Sequence, residues 1–282
     1  MHIQAIVVNH GTTKNVELLL ASLLVHHPDR SAFDILVLDN ASPDVNRLDW
    51  AKDYGVEIAP SGYPSESAIN THGEILRDAV FDRPDCNAYL FLDADVCFVA
   101  DNTIQTMAAE LAARDDLFAV QATWSITGDD TFEIPPRWRE YDMFVRDSFK
   151  FDANGEWPPL REYVVRVTDR IWPFCTLIRN DHVFRRTVEL IGLSGAHNQA
   201  LRGGRQWDTF GLLDAVMQTH SRRWQRSERR VIHFGNVSYQ DDVANGKAAR
   251  RDELLTNYLA RLVPQTPCRP ARHAPPDRAK CQ

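Results

Sequence analysis

Two aspartates one residue apart, Asp93 and Asp95 in Phe91-Leu92-Asp93-Ala94-Asp95, follow directly on an apolar run at 88–92. A buried strand that stops at an acid pair delivers both carboxylates to the carboxyl end of a sheet, where open α/β sheets bind their ligands. Carboxylate oxygens are hard ligands that suit Mg2+ or Mn2+, ions that complete their shells with water and phosphate oxygen. The plain alternative is a solvated turn at a strand end, and a bare Asp-x-Asp does not choose between the two. Two more polar residues close apolar runs: Asn9 in Val7-Val8-Asn9-His10, and Asp39 in Leu36-Val37-Leu38-Asp39-Asn40-Ala41-Ser42. A carboxylate at such a place can accept the imide N–H of a uracil or thymine ring, or hold ribose hydroxyls, while a metal at Asp95 takes a diphosphate. On this reading three strand ends share one nucleotide site.

Such a site needs parallel strands whose ends meet on one edge. Residues 3–8 and 34–38 are aliphatic runs, and between them Val16, Leu19, Leu20, Leu23 and Leu24 recur at helical spacing. That is a strand–helix–strand unit with a right-handed crossover. Thr12 or Thr13 is the expected cap of the helix, and Pro28 lies past its end. The alternation continues with a strand at 56–59, a helix at about 66–80, the strand at 88–92 and a helix at about 103–114 that turns Ile104, Met107, Ala108 and Leu111 inward. The pattern predicts an α/β chain with a mostly parallel sheet covered by helices on both faces. From about 129 to 172 the alternation fails, and prolines mix with Trp138, Tyr141, Phe144, Phe149, Phe151 and Trp157. Regular elements return as a strand at 174–178, a helix near 209–220, a strand at 230–232 and a helix at about 248–262. The tail beyond Pro264, rich in proline and arginine, is expected to be disordered.

Composition narrows the classes. Asp and Glu outnumber Lys and Arg by 39 to 32, a net charge of −7, which argues against a protein that coats DNA or RNA, because that binding is carried by cations on phosphates. The most apolar stretch, 88–100, is broken by Asp93 and Asp95, and no run approaches the roughly 18 apolar residues that span a bilayer. Membrane contact is therefore expected to be peripheral at most. The opening residues lack the positive region and cleavage site of a secretory leader, and a cytoplasmic location is expected. The five cysteines are scattered, with no C-x-x-C pair; they read as buried thiols rather than as a disulfide framework or a zinc site.

Taken in order and spacing, Val7-Val8-Asn9-His10, the helix at 16–24, Val37-Leu38-Asp39-Asn40-Ala41-Ser42 and Phe91-Leu92-Asp93-Ala94-Asp95 resemble the nucleotide-sugar half of GT-A-fold, family 2 glycosyltransferases, over residues 3–100. The resemblance implies one main Rossmann-like domain: a nucleotide-sugar-binding half at 1–128, an acceptor-binding and catalytic half at 129–263 and the tail at 264–282. It further implies metal-dependent, inverting transfer of a sugar from a UDP-, dTDP- or GDP-linked donor to a hydroxyl of a small molecule or glycan. Under it Asn9 and Asp39 contact the nucleoside, and Asp93-Ala94-Asp95 serves ribose, diphosphate and Mn2+ or Mg2+.

His72, in Asn70-Thr71-His72-Gly73, resembles a helix segment near the donor; a structural helix histidine is the alternative. His233, in Val231-Ile232-His233-Phe234-Gly235, stands at the late position where several such enzymes complete the metal shell; a histidine bonded within a turn is its alternative. Inversion needs a base for the acceptor hydroxyl. Where the family carries an acidic pair, Trp207-Asp208-Thr209-Phe210-Gly211 has one acid, so Asp208 is the candidate base with Asp214 and Glu189 behind it. Asp208 reads equally well as the N-cap of the following helix. The aromatic stretch from Trp124 to Trp172 lies where such enzymes place acceptor loops, and a lid or small core is the competing reading.

Two rivals use the same residues. A haloacid dehalogenase-like phosphatase would take Asp93 as nucleophile and Asp95 as general acid, but no lysine lies between them and the next acidic cluster, Gly128-Asp129-Asp130. A non-catalytic protein that binds a nucleotide sugar or carbohydrate is the other.

Overall fold

Strand β1 (Ile3–Asn9) is buried along its whole length, as a strand paired on both edges and covered on both faces must be. The computed structural model describes residues 1–63, 71–132, 140–146, 160–166, 170–193, 196–199, 205–210, 213–235 and 243–262. Helix α1 (Thr13–His26) returns the chain to β2 (Phe33–Asp39), which lies parallel to β1 in a register that sets Asn9 opposite Asp39. A 3-10 helix (Val45–Tyr54) leads to β3 (Val56–Pro60), parallel to β2, and helix α2 (Thr71–Asp82) leads to β4 (Ala88–Leu92), parallel to β1. Short β5 (Val96–Phe98), helix α3 (Thr103–Ala112) and β6 (Leu117–Ser125) follow. The rest of the chain adds β7 (Glu140–Arg146), β8 (Leu160–Arg166), β9 (Cys175–Arg179), α4 (His182–Ile191), β10 (Ala196–Gln199), β11 (Arg205–Asp208), α5 (Leu213–Thr219), β12 (Arg223–His233) and α6 (Val243–Arg261).

The main sheet runs β3-β2-β1-β4-β9-β6-β12-β5, and a second runs β11-β10-β7-β8. Period-2 alternation splits the core in two. Ala5, Val7, Leu90 and Leu92 face Leu19, Leu23, Ile104 and Met107 on one side, while Ile6, Val8, Tyr89 and Phe91 face Leu76, Val80, Phe184 and Met217 on the other. The first four strands and helix α1 match the sequence expectation; α2 is described from Thr71, the expected start at 66–70 lying outside the described residues, and the 3-10 helix was not expected. Among the described residues no helix is long and apolar enough to cross a membrane.

Several elements depart from the expectation. The parallel set does not pass from β4 to β6: β9 lies between them and is antiparallel to both, with Cys175 opposite Leu92. Strand β12 begins well before the expected 230–232, and its register against β6 shifts between Arg226 and Arg230. Such an irregularity bends a strand. Beyond it Val231, Ile232 and His233 pair with Phe98, Cys97 and Val96 of β5. Thr12 occupies the N-cap of α1, but its side chain makes no capping bond; the Asn9 side-chain oxygen accepts the Thr12 N–H instead, at 3.3 Å. Helix α4 was not anticipated, and Asp181 caps it by accepting the Phe184 N–H at 2.9 Å. The 129–172 stretch contributes β7 and β8 to the second sheet. Cys86, Cys97 and Cys175 are buried free thiols; Cys268, Cys281 and the tail lie outside the described residues.

Candidate active site

The end of β4 is pinned from two directions. The Asp93 N–H donates to the Phe174 carbonyl just before β9 at 3.0 Å, and the Val96 N–H closes a turn on the Asp93 carbonyl at 3.3 Å. Because β5 then pairs with the last residues of β12, Val96 faces His233, and the Phe234 N–H reaches the Asp95 carbonyl at 3.1 Å. This pairing brings a residue from the far end of the chain to the acid pair. His233 Nε2 lies 3.2 Å from Asp95 Oδ1 and 3.6 Å from Asp93 Oδ2. One ligand atom from each of the three residues falls within 4.8 Å of the others. Ala94 is half-buried and packs against the core beneath them.

Electrostatics separates the two acids. Burial pushes the Asp93 carboxyl above its ordinary range, more than the neighbouring His233 charge lowers it. Burial acts on Asp95 in the same direction, yet the His233 charge and its hydrogen bonds prevail and hold that carboxyl below the ordinary range. His233 answers in kind: burial opposes its charge, and the Asp95 and Asp93 carboxylates outweigh burial and raise its pKa. Two carboxylates and an imidazole without thiolate form a donor set that suits Mn2+ or Mg2+ better than a structural zinc.

Asp39 opens the same edge two strands away. Asn9 is completely buried, and its amide nitrogen donates to Asp39 Oδ1 at 2.8 Å and to Thr13 Oγ1 at 3.1 Å. The Ser42 N–H donates to Asp39 Oδ2 at 3.1 Å across a turn in which Ala41 takes φ 55°, a conformation that costs free energy for a residue with a Cβ. Ser61, just past β3, donates its N–H to the Asp39 carbonyl at 2.8 Å and its hydroxyl to Asn40 Oδ1 at 3.0 Å. Ser42, Asn40 and Ser61 thus join the polar rim without having been singled out in the sequence. Ser61 gave a weaker signal than Asn9 and Asp39, since the strand before it contains Glu57 and ends in Pro60.

His72, in the first turn of α2, faces the acid pair from the other side. Its Nε2 is 3.9 Å from Asp93 Oδ1, its Nδ1 is 3.0 Å from Thr209 Oγ1, and burial lowers its pKa to about 4. Asp208 is the last residue of β11, opposite Ala196. The next two residues are anchored beneath β4: Thr209 is buried, and Phe210, at φ 68°, packs edge-on against Phe91 with ring centroids 5.1 Å apart. The capping alternative for Asp208 fails, because α5 starts at Leu213. Asp214 is buried on α5 and accepts from Gln218 Nε2 at 3.0 Å. Glu189 is on the surface of α4, paired with Arg186 at 2.6 Å, and is not brought to the acid pair.

Aromatic rings wall the cluster, a feature the sequence reading did not assign. The His233 ring stacks on Phe174, with centroids 4.8 Å apart and an interplanar angle of 11°, and meets Trp124 at 4.5 Å and 51°. Arg170 covers the Trp172 ring at 4.0 Å. Of the 129–172 stretch, residues 133–139, 147–159 and 167–169, including Trp138, Phe149, Phe151 and Trp157, lie outside the described residues.

No protein-family model matches the sequence, and none of the curated proteins matches it. Solved structures do resemble the fold. The Staphylococcus aureus TarS fragment 1-349 in complex with UDP-GlcNAc has a TM-score of 0.52 at 14% identity, covering 93% of this chain and 72% of that one. The mannosyltransferase PcManGT from Pyrobaculum calidifontis, in complex with GDP-Man and Mn2+, gives 0.52 at 13% identity over 92% of this chain and 63% of its own. Glucosyl-3-phosphoglycerate synthase from Mycobacterium tuberculosis, in complex with phosphoglyceric acid, gives 0.51 at 13% identity over 92% and 79%. With the strand order and the site on the carboxyl edge of β4, these likenesses establish that the chain has the GT-A glycosyltransferase fold.

Proposed function

We propose that this protein is a glycosyltransferase that moves a sugar from a UDP- or GDP-linked donor to an acceptor hydroxyl, with Mn2+ or Mg2+ at Asp93, Asp95 and His233. The observation that carries the reading is the convergence of those three side chains at the end of β4, on the same sheet edge as Asp39. Asp39 holds the nucleoside, and Asn9 acts through it by fixing Oδ1 with a 2.8 Å bond. Asp93 serves the ribose and diphosphate, and with Asp95 and His233 it would hold the ion. The bound metal would supply charge neutralisation for the departing diphosphate. Asp208 takes the acceptor hydroxyl's proton as that oxygen attacks the anomeric carbon, with inversion. The two solved relatives carrying UDP-GlcNAc or GDP-Man support the donor class, and the second of them holds Mn2+. The phosphatase reading needs a free lysine at the acid pair, whereas Lys247 on α6 donates to the Phe234 and Gly235 carbonyls at 2.5 and 2.7 Å.

The test is a melting-temperature screen with UDP, GDP and dTDP, each with Mn2+ and with EDTA. Ligands that bind only the folded state raise the melting temperature, so a Mn2+-dependent rise is expected with at least one diphosphate. Asp95→Asn is expected to keep the wild-type circular dichroism and lose that rise. A diphosphate shift of equal size in EDTA and in Asp95→Asn would refute the metal assignment.

A further inference from the structure

A histidine that binds a metal through one ring nitrogen commonly bonds the other to a carboxylate, carbonyl or water, which fixes its tautomer and rotation. His233 has no such anchor: its Nδ1 is buried and meets no hydrogen-bond partner among the described residues. Two aromatic rings hold the imidazole instead. Phe174 lies against it nearly parallel, at 4.8 Å and 11°, and Trp124 closes on it at 4.5 Å.

Both rings are themselves fixed. The Phe174 side chain is buried, and its carbonyl accepts the Asp93 N–H at 3.0 Å, so one residue bounds the imidazole with its ring and the first acid with its backbone. Trp124 donates Nε1–H to the His233 carbonyl at 2.9 Å and stacks on Phe132 at 4.2 Å. Gly235, at φ 59°, leaves room for the indole, since a Cβ there would come within 3.3 Å of it. Ring packing of this kind restricts rotation about χ2 as a hydrogen bond does, because turning the imidazole sacrifices the stack on Phe174 and the tilted contact with Trp124.

We propose that Trp124 and Phe174 are positioning residues for the cation site: Phe174 by stacking and Trp124 by a tilted ring contact, they hold the His233 imidazole with Nε2 toward Asp93 and Asp95, the task usually performed by a bond to the second ring nitrogen. This rests on the metal-site part of the function proposed above.

The test measures Mn2+ binding without turnover, by the loss of free-ion electron paramagnetic resonance signal. The nitrogen modulation of the electron spin echo reports imidazole coordination directly. The wild-type protein is expected to bind Mn2+ with a clear imidazole nitrogen signature, and His233→Gln to lose the signature. Phe174→Leu and Trp124→Leu are each expected to weaken Mn2+ binding by about 10-fold and to diminish the nitrogen signature. Phe174→Tyr and Trp124→Phe, which keep a ring against the imidazole, are expected to stay within about 3-fold of wild type, on the same scale. If Phe174→Leu does not fold, the Trp124→Leu and Trp124→Phe pair decides. Leucine variants with wild-type affinity and modulation overturn the positioning role and leave the cation site standing, as do leucine and aromatic variants that lose equally. A wild-type protein that binds no Mn2+ overturns both this proposal and the metal-dependent function.

Discussion

The transfer proposed here turns on which carboxylate meets the acceptor, and Asp208 is expected to reveal itself by a separation of binding from turnover. Asp208→Asn should keep the Mn2+-dependent nucleotide melting shift while transfer falls by about 100-fold or more, the range of a lost general base. Normal turnover in that variant would move the role to another group. Asn9 illustrates how far a single residue could be read from the chain. Its place at a strand end was legible, because an apolar run stops there. Its orientation was not: only the parallel register with β2 sets Asn9 opposite Asp39 and commits the amide to that carboxylate. His233 was legible for the same positional reason as Asn9. Trp124 and Phe174 stayed hidden, since their meeting with His233 depends on β9 and β12 entering the sheet beside β6.

Joints between elements carry their own chemistry, and the one between α1 and α3 is sensitive to acid. His27 is completely buried; its Nδ1 bonds the Leu23 carbonyl at 2.9 Å, and its Nε2 receives the Ile104 N–H at 3.2 Å. That arrangement requires a neutral ring, and burial lowers the pKa from 6.5 to about 4. The unfolded chain therefore binds a proton on His27 between those values when the folded one does not. Its contribution to stability is full above pH 6.5 and lost as the pH falls toward 4, a change of about 3 kcal/mol. Urea midpoints at pH 7 and pH 4.5 should show the loss, and His27→Gln should flatten the dependence; an equally steep loss in the variant would assign it to other groups. At this scale the sequence was readable where burial on both faces makes strands continuous apolar runs, as in β1, β2 and β4. It was opaque in β5, a three-residue strand whose partner lies far downstream. It was opaque also in the first part of β12, where Arg223, Arg226 and Arg230 are exposed and leave no apolar run to see. In α4, Phe184 and Val188 turn inward while Arg185, Arg186 and Glu189 face water, a pattern too short to stand out among the surrounding charges.

The main sheet draws strands from both sides of residue 128, the boundary suggested for the donor half. Strand β6 bonds to β9 and β12 rather than to β4, so a fragment of residues 1–128 would leave β4 paired with β1 alone and β6 without either neighbour. Such a fragment is expected to lose near-ultraviolet circular dichroism and to bind the dye ANS, as chains with secondary structure but without fixed packing do. A cooperative unfolding transition in the fragment would show instead that the donor half folds alone. Seating a strand from the second half in the middle of the sheet also dictates when the protein matures. During synthesis the nascent chain must extend past residue 179 before β9 can bridge β4 and β6, and past residue 233 before His233 reaches the two aspartates. Pairings this distant in the chain form slowly and late. On the ribosome, the acid pair therefore emerges long before the histidine that meets it, and products terminated before residue 233 carry both aspartates without His233 beside them.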